Sequence, residues 1–262
     1  MAATDGVLND SCNADLSDSE QSGTILWVAN FGLSTQTNDF SAALDFIRQL
    51  KHPIISDARK QKAVALYQKW GSYGWTPDPD GVLYPLFKTE PLNRLDADAR
   101  ARKHFRDMSP VFDAIRNRQR VKKHDLEEAI VNFDGKRYKS CAMMLFSLID
   151  AQLIRLQKSG SNARRRREVG ASAVREARKR SGVDEHDEWL IAKLEYVNLF
   201  SCLDVMFENG RDFRHQPEVI NRNYLAHGMM RREVTRTSCI QLFLLYYNML
   251  EMLDLIYFKW QF

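Results

Sequence analysis

The octet Asn221-Arg222-Asn223-Tyr224-Leu225-Ala226-His227-Gly228 sets an arginine and a histidine five positions apart. Cutting a phosphodiester of RNA takes a proton from a 2′-hydroxyl and gives one to the leaving 5′-oxygen. Charge on the phosphate must be stabilised meanwhile. Histidine suits the proton transfers, because its ordinary pKa is about 6.5. Arginine offers a permanent charge on a planar fork that matches phosphate oxygens. A pair of this kind works without a metal, and no metal-ligand cluster or cofactor motif is apparent in the sequence. Competing motifs are few: there is no phosphate-binding glycine loop, no GxSxG, no HExxH and no paired CxxC. Asp78-Pro79-Asp80 and Asp96-Ala97-Asp98 gather carboxylates that could be metal ligands, but each reads as a solvated turn or a helix start, where acids are favoured. His186-Asp187-Glu188 likewise reads as a first helical turn, with Trp189 opening the apolar face.

Spacing alone does not single the pair out. With 24 arginines and six histidines, the three spacings of Arg-x4–6-His arise by accident about 1.6 times in a chain this long. Arg118…His124 and Arg180…His186 also match. Context separates the three. Arg222 is followed by Asn223 and sits between two strongly apolar segments, whereas the other two pairs lie in charged stretches. On a straight helix, residues five apart point about 140° away from each other. Arg222 and His227 therefore converge only across a turn or helix end, or when the second site comes from another subunit. A plainer arrangement is also open: Arg222 pairs with an acid such as Glu218, and His227 caps the preceding turn. Asp150, with helical neighbours Phe146, Leu153 and Ile154, stands at the edge of an apolar face. Buried carboxylates usually have partners, and the arginine of the octet is a natural one. The alternative is an ordinary boundary aspartate.

The elements around these residues read as helices. Leu44, Phe46, Ile47 and Leu50, then Ala63, Val64, Leu66 and Tyr67, give helical spacing over 40–70, and Gly71–Gly81 has turn chemistry. A charged helical stretch covers 96–118, interrupted or restarted by Pro110. A short amphipathic helix over 125–133 ends at the turn Asp134-Gly135. Tyr138, Ala142, Leu145, Ile149, Leu153 and Leu156 then hold the helical period for five turns. Residues 158–180 break it, with nine basic residues against two acidic ones. Another helix spans 185–208, with Asn209-Gly210 as its C-cap. The segment 237–258, apolar almost all round, is the expected central helix. Thr24–Ala29 is the one candidate strand, and the expected fold is all-α.

Arginine followed by a polar residue and then a histidine, framed by apolar helices and closed by His227-Gly228, resembles the Arg-x4–6-His motif of the HEPN superfamily, many of whose members are ribonucleases. Glu127-Glu128-Ala129, Gly135-Lys136-Arg137-Tyr138 and Leu145-Phe146-Ser147-Leu148-Ile149-Asp150 look like the first paired helices of bacterial HEPN proteins. The 70–79 stretch, with Gly74-Trp75, Pro77 and Pro79, is similar to a lead-in of that family. The resemblance covers 125–262 and, less closely, 40–124. It implies a HEPN-like helical bundle at 125–262, with a basic insertion at 158–184 and an extra N-terminal helical region at 25–124; residues 1–24 contribute nothing to it and read from their composition as an acidic, disordered tail. The resemblance further implies a homodimer bringing two Arg/His pairs into one cleft. Arg222 would hold the phosphate, His227 act as acid or base, and Asn223 orient groups by hydrogen bonding. The implied activity is a metal-independent endoribonuclease of prokaryotic defence, a toxin or a stress effector, restrained by an antitoxin or released by an activator. A non-catalytic HEPN module that binds nucleotide, RNA or protein is the alternative.

Composition fits a chain that handles polyanions. The +4 formal charge combines a balance of −5 over residues 1–24, which hold five acids and no Lys or Arg, with +9 over the remainder. Arg164, Arg165, Arg166, Arg167, Arg178, Lys179 and Arg180 either grip an RNA backbone or belong to a solvated insertion. No 18-residue uncharged apolar run and no basic-then-apolar N-terminus are present, so a cytoplasmic protein without a membrane span is expected. Cys12, Cys141, Cys202 and Cys239 are scattered and read as structural thiols.

Overall fold

The computed structural model describes residues 56–157, 167–181, 190–210 and 212–259. The acidic tail, the 24–29 strand, Cys12, Arg164, Arg165, Arg166 and the 186–189 helix start lie outside them. The fold is all-α, with no strand among the described residues. Its helices are α1 (Asp57–Ser72), α2 (Tyr84–Phe87), α3 (Arg94–Arg102), α4 (Ser109–Arg116), α5 (Lys123–Asp134), α6 (Tyr138–Arg155), α7 (Ala171–Ser181), α8 (Leu190–Met206), α9 (Arg222–Ala226) and α10 (Arg236–Lys259).

Local chemistry sets several of these boundaries. Ser56 and Asn93 cap α1 and α3, their side chains accepting from the Arg59 and Asp96 amides. Pro110 lies in the first turn of α4, so it restarts a helix rather than kinking one. After α5 the left-handed residue is Lys136, at φ 57°, and not Gly135. Helix α8 stops at Met206, ahead of the C-cap expected at Asn209-Gly210. Helix α10 is the central element: Cys239, Ile240, Leu242, Phe243, Leu244, Leu245, Tyr246 and Met249 have no exposed surface although they span its whole circumference. It packs against α6, α4 and α8.

The core runs without a break across the division expected at 124/125. Trp70, Trp75, Leu83 and Phe87 join the same apolar cluster as Leu145, Phe200 and Phe243. The reason is visible at α1, whose most extensive neighbour is α8. At their crossing, a β-carbon on Gly71 would lie 2.3 Å from the backbone oxygen of Asn198 and 2.9 Å from Ser201 Cβ. Gly71→Ala is therefore expected to destabilise the protein by about 2 kcal/mol, overpacking outweighing the better helix propensity of alanine. Urea unfolding checks this as a lower midpoint with an unchanged slope.

The segment after α1 is not a solvated turn. Residues 74–78 are all buried, although irregular backbone in an interior must find partners for its polar groups. Three amide side chains supply them. Asn198 Nδ2 donates to the Tyr67 and Trp75 carbonyls at 2.9 and 3.0 Å. Gln241 Nε2 donates to the Tyr73 carbonyl at 3.0 Å, and Asn248 Nδ2 to that of Pro77 at 2.7 Å. Asp78 is 5% exposed, and its carboxylate accepts from the Val82 and Leu83 amides. A β-carbon on Gly74, at φ 86°, would lie 3.0 Å from Val219 Cγ1, two residues before the octet. The strap thereby reaches the candidate site.

Candidate functional site

Asn221 builds the octet. It is 1% exposed and satisfies both ends of its amide. Its Oδ1 accepts from the Asn223 and Tyr224 amides, capping α9. Its Nδ2 donates to the Val205 and Glu208 carbonyls, tying α9 to the end of α8 at 3.2 and 3.0 Å. Sequence reasoning gave Asn221 no role. An asparagine immediately before the first helical residue was the available signal.

Helix α9 ends in a Schellman motif. The Gly228 amide donates to Leu225 O, and the Met229 amide donates to Tyr224 O at 2.8 Å. Gly228 takes the left-handed conformation at φ 69° that this turn needs. Arg222 is thus the first residue of a five-residue helix and His227 its C-cap.

Arg222 Nε donates to Asp150 Oδ2 at 3.0 Å, and Nη1 donates to Asn223 Oδ1 at 3.3 Å. Asn223 Nδ2 in turn donates to the Glu208 carbonyl at 2.9 Å. Glu218 lies instead against Arg94, at 3.6 Å. The Arg222 and Asp150 side chains are 29% and 19% exposed, so α6 presents the carboxylate at the edge of the core and holds the guanidinium there. His227 is exposed, and its imidazole faces the ring of Phe213, 5.6 Å away. The structure brings Arg222, Asn223 and Asp150 together, while His227 has different neighbours at the far end of α9.

The two other Arg/His pairs are not built this way. Arg118 turns inward to Glu251 and Tyr247, whereas His124 is 82% exposed beside Asp125 and Glu128. Arg180 donates to the Leu156 carbonyl, and His186 is outside the described residues. In the basic segment, 171–181 form a helix that buries Ala173, Val174 and Ala177 against α6 and α8. Arg178 pairs with Asp204 and lies over the Phe200 ring. Arg178 and Arg180 thus serve this packing, while Lys179 and Arg167 face solvent. Cys141, Cys202 and Cys239 are buried thiols, with burial pushing Cys202 well above the usual thiol range.

Burial pushes the Asp150 carboxyl above its ordinary range, against the opposing pull of Arg222. Between the ordinary value and the raised one, the folded chain binds more protons here than the unfolded chain. This group therefore favours folding as pH falls through that window, and opposes it as pH rises. The same protonation releases Arg222. If Arg222 serves catalysis, the activity has an acid limb above the ordinary aspartate range. Asp150→Asn, which keeps an acceptor but cannot titrate, removes that limb. A pH–rate profile identical in the two proteins would assign the limb elsewhere.

No group of three or more potential metal ligands occurs among the described residues, and none of their helices is long and apolar enough to cross a membrane. Compared with family models, curated proteins and solved structures, the chain gives no match.

Proposed function

We propose that the protein is a metal-independent endoribonuclease that cuts RNA by attack of a 2′-hydroxyl, leaving a 2′,3′-cyclic phosphate and a 5′-hydroxyl. The carrying observation is the Asp150–Arg222–Asn223 array. The carboxylate anchors one edge of the guanidinium of a side chain that is still 29% exposed, which orients a rigid cationic fork toward an anionic ligand. His227, exposed at the end of the same short helix, is available for proton transfer. The exposed basic residues Arg214, His215, Arg231 and Arg232 lie on two segments that Gln216 ties together, through bonds from the Arg231 and Arg232 amides at 2.8 and 3.3 Å. They suit a polyanion.

Because Arg222 and His227 have different neighbours within one chain, this reading takes the working site as shared between two copies. The HEPN resemblance implies the same arrangement and is also what suggests a defence or toxin role with a restraining partner. A second reading, a HEPN module that binds nucleotide, RNA or protein without cutting, draws on the same arginine, since Nε and Nη1 are already held within the chain.

The test is incubation of purified protein with total RNA and tRNA, with and without EDTA, with the product ends mapped and the oligomeric state measured in parallel. EDTA-resistant cleavage to cyclic-phosphate ends by a dimer supports the reading. RNA that is bound but stays intact, across substrates and conditions, favours the module.

A further inference from the structure

We propose that Phe213 is a positioning residue for this site: its ring, seated on Gly210, fixes the imidazole of His227. The inference rests on reading His227 as the proton-transferring group.

Phe213 has φ 58°, a left-handed conformation that a bulky residue adopts only when its surroundings impose it. Those surroundings are specific. The Phe213 amide donates to Gly210 O at 2.7 Å, closing a turn. The ring then lies so near Gly210 that a β-carbon there would stand 2.3 Å from Phe213 Cε1. Beyond the ring, Tyr224 meets it edge-on at 5.0 Å and His227 at 5.6 Å, with interplanar angles of 72° and 65°. Tyr224 is buried, and its hydroxyl donates to the His215 carbonyl at 2.7 Å, so the loop is fastened on the far side of Phe213 as well.

An acid–base histidine is ordinarily aimed by a hydrogen bond to one ring nitrogen. Among the described residues His227 has no such bond, and an aromatic edge occupies that role. Such contacts have a preferred geometry, so the phenyl ring restricts where the imidazole can swing. The strained backbone and the glycine beneath the ring both serve to place it there.

The test uses the full chain with ring-labelled histidine, reading the His227 resonances by NMR alongside RNA cleavage. Three variants separate the causes. Phe213→Asn accepts the left-handed backbone but has no ring. Phe213→Tyr keeps the ring. Gly210→Ala retains the phenylalanine but lifts its ring off its seat. In the wild type and Phe213→Tyr, the His227 resonances should carry a ring-current shift. In Phe213→Asn and Gly210→Ala they should move toward those of His124, a solvent-exposed internal reference. The kcat of Phe213→Asn should fall about 10- to 100-fold with KM changed less than about twofold, and Phe213→Tyr should restore it. Resonances that do not move in Phe213→Asn would overturn the proposal, as would movement accompanied by an unchanged kcat. Movement in a protein whose wild type never cuts RNA would sink the nuclease reading while upholding the Phe213–His227 contact.

Discussion

His227→Ala is expected to slow RNA cleavage by about 10²- to 10⁴-fold, the span that a positioned acid or base contributes. RNA affinity should barely change, because the exposed cationic residues remain. Arg222→Ala is expected to cost about 10²- to 10³-fold, the usual price of one charge-stabilising donor, and to weaken RNA binding as well. Arg222→Lys should recover little: an ammonium restores the charge but cannot hold Asp150 through one nitrogen while presenting a fork with the others. Single-turnover rates on a defined oligonucleotide separate these effects from binding. If the site is shared between two copies, mixing inactive His227→Ala with inactive Arg222→Ala should regain part of the activity. That regain follows because some mixed dimers carry one intact His227 and one intact Arg222 facing each other. Cleavage by His227→Ala within about threefold of wild type would remove His227 from the mechanism.

The helices that hold the site were largely legible in the sequence. The apolar period from Tyr138 to Leu156 became α6, and the all-round apolar run became α10, because burial on one face or on every face leaves a pattern that local sequence carries. Asp150 was legible for the same reason, as a carboxylate at the margin of an apolar stripe. Its partner was only one of two acids open to Arg222, since a pairing across 72 positions depends on how α6 and α9 meet rather than on either segment alone. What stayed hidden was of that kind. Residues 74–78 have the composition of a turn, and their burial depends on amides contributed by Asn198, Gln241 and Asn248 from distant helices. Phe213 lay in a connector with no periodicity, and its ring contacts with Gly210 and Tyr224 exist only once the chain is folded. Asp98 looked like a solvated first-turn acid, whereas its side chain is only 14% exposed.

That last residue carries the largest expected effect on stability. Trp75 has no exposed surface, stacks on Phe105 at 6.2 Å, and donates from Nε1 to Asp98 Oδ1 at 2.9 Å. The same carboxylate receives Gln241 Nε2 at 3.3 Å and Arg94 Nη1 at 2.5 Å. Burial raises the Asp98 pKa, while Trp75, Arg94 and Arg102 pull it back. Trp75→Ala is therefore expected to cost about 3–5 kcal/mol, as large aromatic truncations in a core do. Asp98→Ala should cost about as much by a different route, because it leaves three donors facing a carboxylate that is gone, one of them a partly buried guanidinium. Asp98→Asn should be far milder, keeping one acceptor for Trp75 while relieving a desolvated charge. Trp75→Phe keeps an aromatic ring there but loses the indole N–H together with part of the buried ring, so its cost combines the lost hydrogen bond with a small cavity. Combined with Asp98→Ala, which removes the acceptor, it should cost less than the sum of the two single changes, since each removes the same hydrogen bond. Denaturant midpoints for the four proteins of that cycle decide the matter. Strict additivity would mean that Trp75 contributes through its ring alone. Arg94 also reaches Glu218, four residues before Arg222, at 3.6 Å. Loss of Asp98 should therefore disturb the octet before the protein unfolds, appearing as weakened cleavage at temperatures where Asp98→Ala is still folded.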